Sequence, residues 1–208
     1  MTLNEFDWNS PVVWVIAGVV AAGLVLGLVA VRVLRWWRRR SAERVLRDQI
    51  VGSAVDHLAQ VVVPDGNGGG LHLDWVLLTP RGIVILDIRD IAGNLFGSDQ
   101  MDEWTVMNGA KRSTFINPQN ALYDRVAAVR SLAGDIPVDG RVVFTRRGKF
   151  PKGLPRYAVM IDALASEFPI LDRASAASAT ERFQEAWQRL RAQLLPSTMS
   201  NPRAIAGL

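Results

Sequence analysis

The chain contains no cysteine, and only two of its 208 residues, His57 and His72, are histidine. Disulfides and thiolate metal sites are excluded, a multi-histidine zinc centre lacks ligands, and the redox compartment leaves no trace in the composition. Lysine is scarce too. Lys111, Lys149 and Lys152 are the only three, so 21 of the 24 basic side chains are arginine. At 208 residues the chain has room for one ordinary domain and a short additional segment, but not for two full domains.

What the chain has in plenty is one apolar run. Residues 12–31, VVWVIAGVVAAGLVLGLVAV, form 20 consecutive uncharged residues, about 30 Å as a helix and so about one bilayer core. A cleaved signal peptide wants a basic start and a small-residue cleavage site, whereas this run follows Glu5 and Asp7 and leads into RVLRWWRRR. A buried core helix of this length would show a polar face. The expectation is a transmembrane helix over 12–35 with a basic flank to 40, preceded by a short extracytoplasmic stretch, 1–11. Arg32, Arg35, Arg38, Arg39 and Arg40 follow the run and no cation precedes it. The positive-inside rule then puts the C-terminal part in the cytoplasm and the protein in the plasma or inner membrane. Trp14, Trp36 and Trp37 fall near the run's ends, where indoles favour the interface, and the arginines would meet anionic lipid of the bilayer.

Most of the net charge of +4 comes from the first 40 residues. Without those five arginines and the two leading acids, residues 41–208 hold 19 basic and 18 acidic side chains. Their overall field is too weak to gather polyanions, so any nucleic-acid contact needs a local patch. One such patch is FTRRGKFPKGLPR, where Arg146, Arg147, Lys149, Lys152 and Arg156 occur without an acid. It reads as a phosphate-holding loop, with Phe150 as a stacking surface if exposed, or as a solvated loop facing anionic lipid.

The pattern over 41–195 is that of one α/β domain. Residues 41–60 place apolar side chains near helical spacing, with Ser41 as a partial N-cap, and PDGNGGG after them marks a flexible loop. LHLDWVLL and IVILDIR read as strands joined by Thr79-Pro80-Arg81-Gly82, a type I turn, and both are apolar on both faces, as central strands are. Further strands are expected near Trp104–Met107, Arg141–Thr145 and Tyr157–Ile161. Helices are expected over Pro118–Leu132 and Ala179–Leu195, with a flexible tail over 196–208.

An even-numbered turn makes opposed residue numbers sum to 161, which sets Asp74 directly across from Asp87. Opposed Cβ atoms lie about 5 Å apart, where like charges repel. Two buried acids need neutralising, and a hard dication such as Mg²⁺ does that. Arg89 shares the face of Asp87. A bulge at Gly82 would instead set Asp74 opposite Ile88, and a structural ion pair with Arg89 or Arg81 would need no metal.

The run LDWVLLTPRGIVILDIRDIAGNLFG, the later Trp104, the Phe115-Ile116-Asn117-Pro118 segment and the closing RVVFT strand resemble the NERD (nuclease-related domain) family, most clearly over 50–146. The resemblance implies a restriction-endonuclease-like fold, a central mixed β-sheet flanked by helices, here behind a single N-terminal transmembrane helix. It also implies an acid on one strand and Glu-x-Lys on the next, with the acids holding Mg²⁺ against the scissile phosphate and the lysine activating water. Asp74 then matches the first acid, Asp87 the glutamate and Arg89 the lysine. Arg89 cannot give up a proton, so it cannot be a base. A family-like Gly-Glu is here Gly52-Ser53, and the Gln and His expected after Asn-Pro are Ala121 and Arg125. Three readings follow: a tethered Mg²⁺-dependent nuclease acting on DNA or RNA; a degenerate domain binding nucleic acid or protein; and an interaction module whose span, with Gly18, Gly23 and Gly27, meets another membrane protein.

Overall fold

No proline interrupts residues 12–51, and a computed structural model carries them in one helix, α1 (Pro11–Gly52). The structure describes residues 11–64, 69–170 and 172–197, with backbone alone for 11–22, 35 and 38–42. The expected 12–31 span includes residues 12–22, whose side chains lie outside the described residues. Among the described residues no helix is long and apolar enough to cross a membrane. The chain divides into two units, Met1–Leu46 and Arg47–Leu208.

Ser41 lies within α1, and no new helix begins there. The helix stops at Gly52, where Ser53 N–H and Ala54 N–H close on the carbonyls of Ile50 and Val51. The expected helix over 41–60 is therefore corrected. Residues 56–60 open strand β1 (Asp56–Pro64), because the β-branched run Val61-Val62-Val63 continues an extended segment that pairs along nearly all of β2 (Gly70–Thr79). Of the expected PDGNGGG loop, residues 65–68 lie outside the described residues.

β2 turns through Thr79–Gly82 into β3 (Gly82–Arg89), with Thr79 Oγ1 donating to the Gly82 carbonyl at 2.8 Å. Gly82 has φ +125, and a Cβ there would strike the Pro137 carbonyl, so only glycine fits. The chain then forms β4 (Gly93–Phe96), β5 (Glu103–Asn108) and β6 (Lys111–Ile116). Next comes α2 (Pro118–Ala133), where Asn117 Oδ1 accepts from Gln119 N–H at 3.0 Å and Pro118 fills the first turn. β7 (Val138–Phe144), β8 (Gly148–Lys149) and β9 (Ala158–Met160) follow.

The C-terminal helical region is three pieces rather than one: α3 (Leu164–Glu167), α4 (Arg173–Thr180) and α5 (Gln184–Gln193), with a 3₁₀ turn at Glu181–Phe183. The expected Ala179 start falls inside α4, since Asp172 caps that helix earlier by accepting from Ala174 and Ser175 N–H. The expected loose tail is also corrected at its start. Leu195–Pro196 forms β10 against Val61 and Val62, and residues 198–208 lie outside the described residues.

Two sheets result. The larger is mixed, in the order β10-β1-β2-β3-β7-β9, antiparallel up to β3 and parallel across β3, β7 and β9. The smaller, β6-β5-β4-β8, had no counterpart in the sequence reading beyond the strand at Trp104. Leu122, Val126 and Val129 of α2 and Trp187 and Leu190 of α5 share one core with Val76, Leu78, Ile83, Ile85 and Phe144 of the large sheet and Leu95 and Trp104 of the small one.

Candidate active centre

The turn is even-numbered. Pairs run from Thr79↔Gly82 to Trp75↔Leu86, all with residue numbers summing to 161, and no bulge shifts Asp74 towards Ile88. The ladder stops one step short of Asp74 and Asp87. On its other side β2 also skips one pair, Asp74 against Gln60, and Gln60 takes the left-handed φ of +52. Asp74 thus sits where both of its strand's ladders break. Its carboxylate substitutes for a backbone partner: Oδ2 accepts from Ile88 N–H at 2.8 Å, while Oδ1 lies 3.5 Å from His72 Nδ1.

Asp87 stays on β3, which keeps pairing with β7 through Asp87↔Val142 and Arg89↔Phe144. Asp74 and Asp87 are 5% and 4% exposed. Two guanidiniums converge on Asp87 Oδ2: Arg89 Nη2 at 2.6 Å from its own strand, and Arg125 Nη1 at 3.1 Å from α2. Arg125 Nε also donates to the His72 carbonyl at 2.7 Å, tying α2 to β2. The Asp87 carboxyl rises above its ordinary 3.8. Burial is the largest cause, Arg89 and then Arg125 oppose it, and the charge and hydrogen bond of Asp74 add to it. The two acids therefore meet, with cations bonded to one of them.

Of the residues that sequence reasoning singled out, Asp74, Asp87 and Arg89 come together. Arg125, noted only as a departure from a pattern, supplies a second cation that no spacing rule announces. His72 was also missed as a neighbour, although its place two residues before Asp74 on a strand was a usable signal. Ser53 is buried but turns inward, Oγ donating to the Gln49 carbonyl at 3.1 Å. Ala121 is exposed.

The cations of the basic loop have different surroundings. Arg146 pairs with Asp162 and Arg147 with Asp90, each at 2.6 Å. Arg156 lies over the Tyr157 ring. Lys149 lies on β8 and Lys152 lies over the Phe96 ring. Phe150 is half-buried and edge-on to Trp104 and Phe144, so the expectation of a stacking surface there is corrected. Its ring completes the aromatic core between the two sheets.

The model of the nuclease-related domain matches residues 36–145, more than half of the chain. The chain belongs to the NERD family. No curated protein and no solved structure matches it. The resemblance drawn from the strand–turn–strand motif is thereby shown at the level of the family.

Nuclease chemistry in a NERD domain would call for a divalent cation, and the present donor set does not fit one. Among the described residues no group of three or more His, Asp or Glu side chains converges to hold a metal. Asp87 Oδ2 is taken by two guanidiniums and Asp74 Oδ2 by an amide. The formal charges of two aspartates and two arginines sum to zero. A dication would bring +2 into a buried, already neutral cluster, which desolvation opposes strongly.

Proposed function

We propose that this chain is a membrane-anchored NERD module with a restriction-endonuclease-like fold whose centre no longer cuts and which serves to hold nucleic acid. The observation that carries the reading is the pair of guanidiniums on Asp87 Oδ2, which supply the neutralisation a metal would otherwise give. Neither arginine can serve as a base towards water at any physiological pH.

The test uses the full chain in lipid nanodiscs with labelled single- and double-stranded DNA and RNA, with Mg²⁺ or Mn²⁺. The expected outcome is retarded, uncut nucleic acid. A second reading, an active Mg²⁺-dependent phosphodiesterase, is favoured by the meeting of Asp74 and Asp87. Metal-dependent cleavage abolished by Asp74→Ala would establish it and end the first.

Two observations support anchoring. Leu24, Val25, Leu26, Leu28 and Val29 are consecutive or nearly so on α1 and between 52% and 69% exposed, apolar surface over more than half of the helix circumference. The arginines that follow the 12–31 run orient it with residues 41–195 in the cytoplasm. A C-terminal reporter active only in the cytoplasm is expected, and activity only outside would reverse the orientation. Gly23 and Gly27, with no atom near a Cβ built on either, leave room for a partner helix in the bilayer.

A further inference from the structure

The small sheet has one face in the core and one in solvent. Leu95, Trp104 and Val106 point inward. The pairings Asn94↔Lys149, Asn94↔Met107 and Met107↔Arg112 then run one row across all four strands on the opposite face: Lys149, Asn94, Met107, Arg112. The next row is Phe96, Thr105, Thr114, with Lys152 lying 6.0 Å from the centre of the Phe96 ring. Asn94, Lys149, Arg112, Thr114 and Lys152 are exposed, and Phe96 and Met107 are half-exposed.

Charge on this face has one sign over two rows. Arg112 marks the β6 edge, Lys149 and Lys152 the β8 edge, and among the described strand residues the one acid on this face, Glu103, stands in the third row opposite Ile116. Among the described residues no salt bridge involves Arg112, Lys149 or Lys152, whereas Arg146 and Arg147 of the neighbouring loop are neutralised by Asp162 and Asp90. Between the cationic edges lie an aromatic ring, a thioether and short polar side chains.

We propose that this outer face binds single-stranded nucleic acid, bases lying over Phe96 and Met107 and phosphates held by Arg112 on one edge and Lys149 and Lys152 on the other. The proposal rests on the nucleic-acid reading given above and places its contact away from Asp74 and Asp87. A single strand fits where a duplex does not. Four strands span about 14 Å between the outer two, wider than the roughly 12 Å major groove, which admits at most a helix or a two-stranded ribbon. A four-stranded sheet with aromatics on its open face has room for about two or three splayed bases.

The experiment measures anisotropy of a labelled oligothymidylate with the full chain in nanodiscs of neutral lipid, over a salt series. Arg112→Glu/Lys149→Glu should lower affinity about tenfold or more and reduce the slope of log affinity against log salt by about two. Phe96→Leu keeps an apolar side chain but removes the ring, and should cost about fivefold or more with the slope unchanged. Circular dichroism melts of each variant, matching the parent, tie the loss to the face itself. If the parent binds no oligonucleotide, the nucleic-acid reading and this proposal both fall. If the parent binds and Arg112→Glu/Lys149→Glu binds equally well, only this face is refuted. If that variant loses adhesion to anionic vesicles while oligonucleotide binding is intact, the face is a lipid contact and the proposal is overturned.

Discussion

Replacing Arg125 by methionine tests whether the centre is held by guanidinium in place of a metal. Arg125 is 20% exposed and makes two contacts, Nη1 to Asp87 Oδ2 and Nε to the His72 carbonyl. Methionine fills the stem but supplies neither. The freed carbonyl costs about 1–3 kcal/mol if water cannot reach it, and losing a partner of a buried charge costs about 3–5 kcal/mol when none remains. Arg89 still bonds Asp87 and is 27% exposed, which softens the second figure. A net loss of about 3 kcal/mol is expected, or about 6–12 °C in melting temperature for a domain of this size. The variant's cluster carries −1 instead of zero, so it should now accept Mg²⁺. With a dissociation constant of about 1 mM, 10 mM Mg²⁺ returns about 1.4 kcal/mol, or about 3–6 °C, by linkage. The assay is differential scanning fluorimetry of parent and variant with and without Mg²⁺, with Arg125→Gln as a second variant that retains a donor. A parent stabilised by Mg²⁺ as much as its variants are would refute the reasoning, because the clamp would then not exclude the metal.

Carboxyl ¹³C titration should show Asp87 with a midpoint above 3.8 and Asp162, held low mainly by its hydrogen bond from Arg146, below it. The signs of their stability contributions differ accordingly. The share from Asp87 is complete below about 3.8 and is lost as pH rises through its elevated value, while that from Asp162 is present above 3.8 and vanishes as pH falls through its lowered one. Gly82→Ala, at φ +125 and against the Pro137 carbonyl, should lower stability by about 2–4 kcal/mol in urea melts; a neutral result would mean that the turn has another geometry. Asn117→Ala removes both the cap on Gln119 N–H and the hydrogen bond to the Met101 carbonyl, and should cost about 1–2 kcal/mol by the same measurement.

The central hairpin was legible because its signals agree: apolar strands, a Pro–Gly turn of even length, and a register that fixes every cross-strand pair. Asp74 and Asp87 could be placed opposite each other from that register alone. Arg125 could not. It is 38 residues from Asp87, and which residue of a helix reaches a strand depends on how α2 packs on the sheet, set by Leu122, Val126 and Val129 together. The small sheet was largely invisible for a different reason. β4 and β8 are four and two residues long, and β6 exposes Lys111, Arg112, Thr114 and Ile116, leaving too few inward positions to print a period. The helix expected over 41–60 ends at Gly52, because residues 56–60, though near helical spacing, lead into the β-branched run Val61-Val62-Val63 and pair with β2.

Arginine at both cationic positions has a consequence that lysine would not. An ammonium is a single point charge, so one lysine beside two acids leaves a net negative pocket that a dication completes. A guanidinium keeps its charge and bonds through several fixed donors, which is how Arg125 joins Asp87 to the His72 carbonyl and β2 to α2 at once. The same side chains that cancel the acids therefore brace the sheet against its helix. On this reasoning, restoring metal affinity by removing a guanidinium must cost stability, and no single substitution at Arg89 or Arg125 should gain the one without losing some of the other.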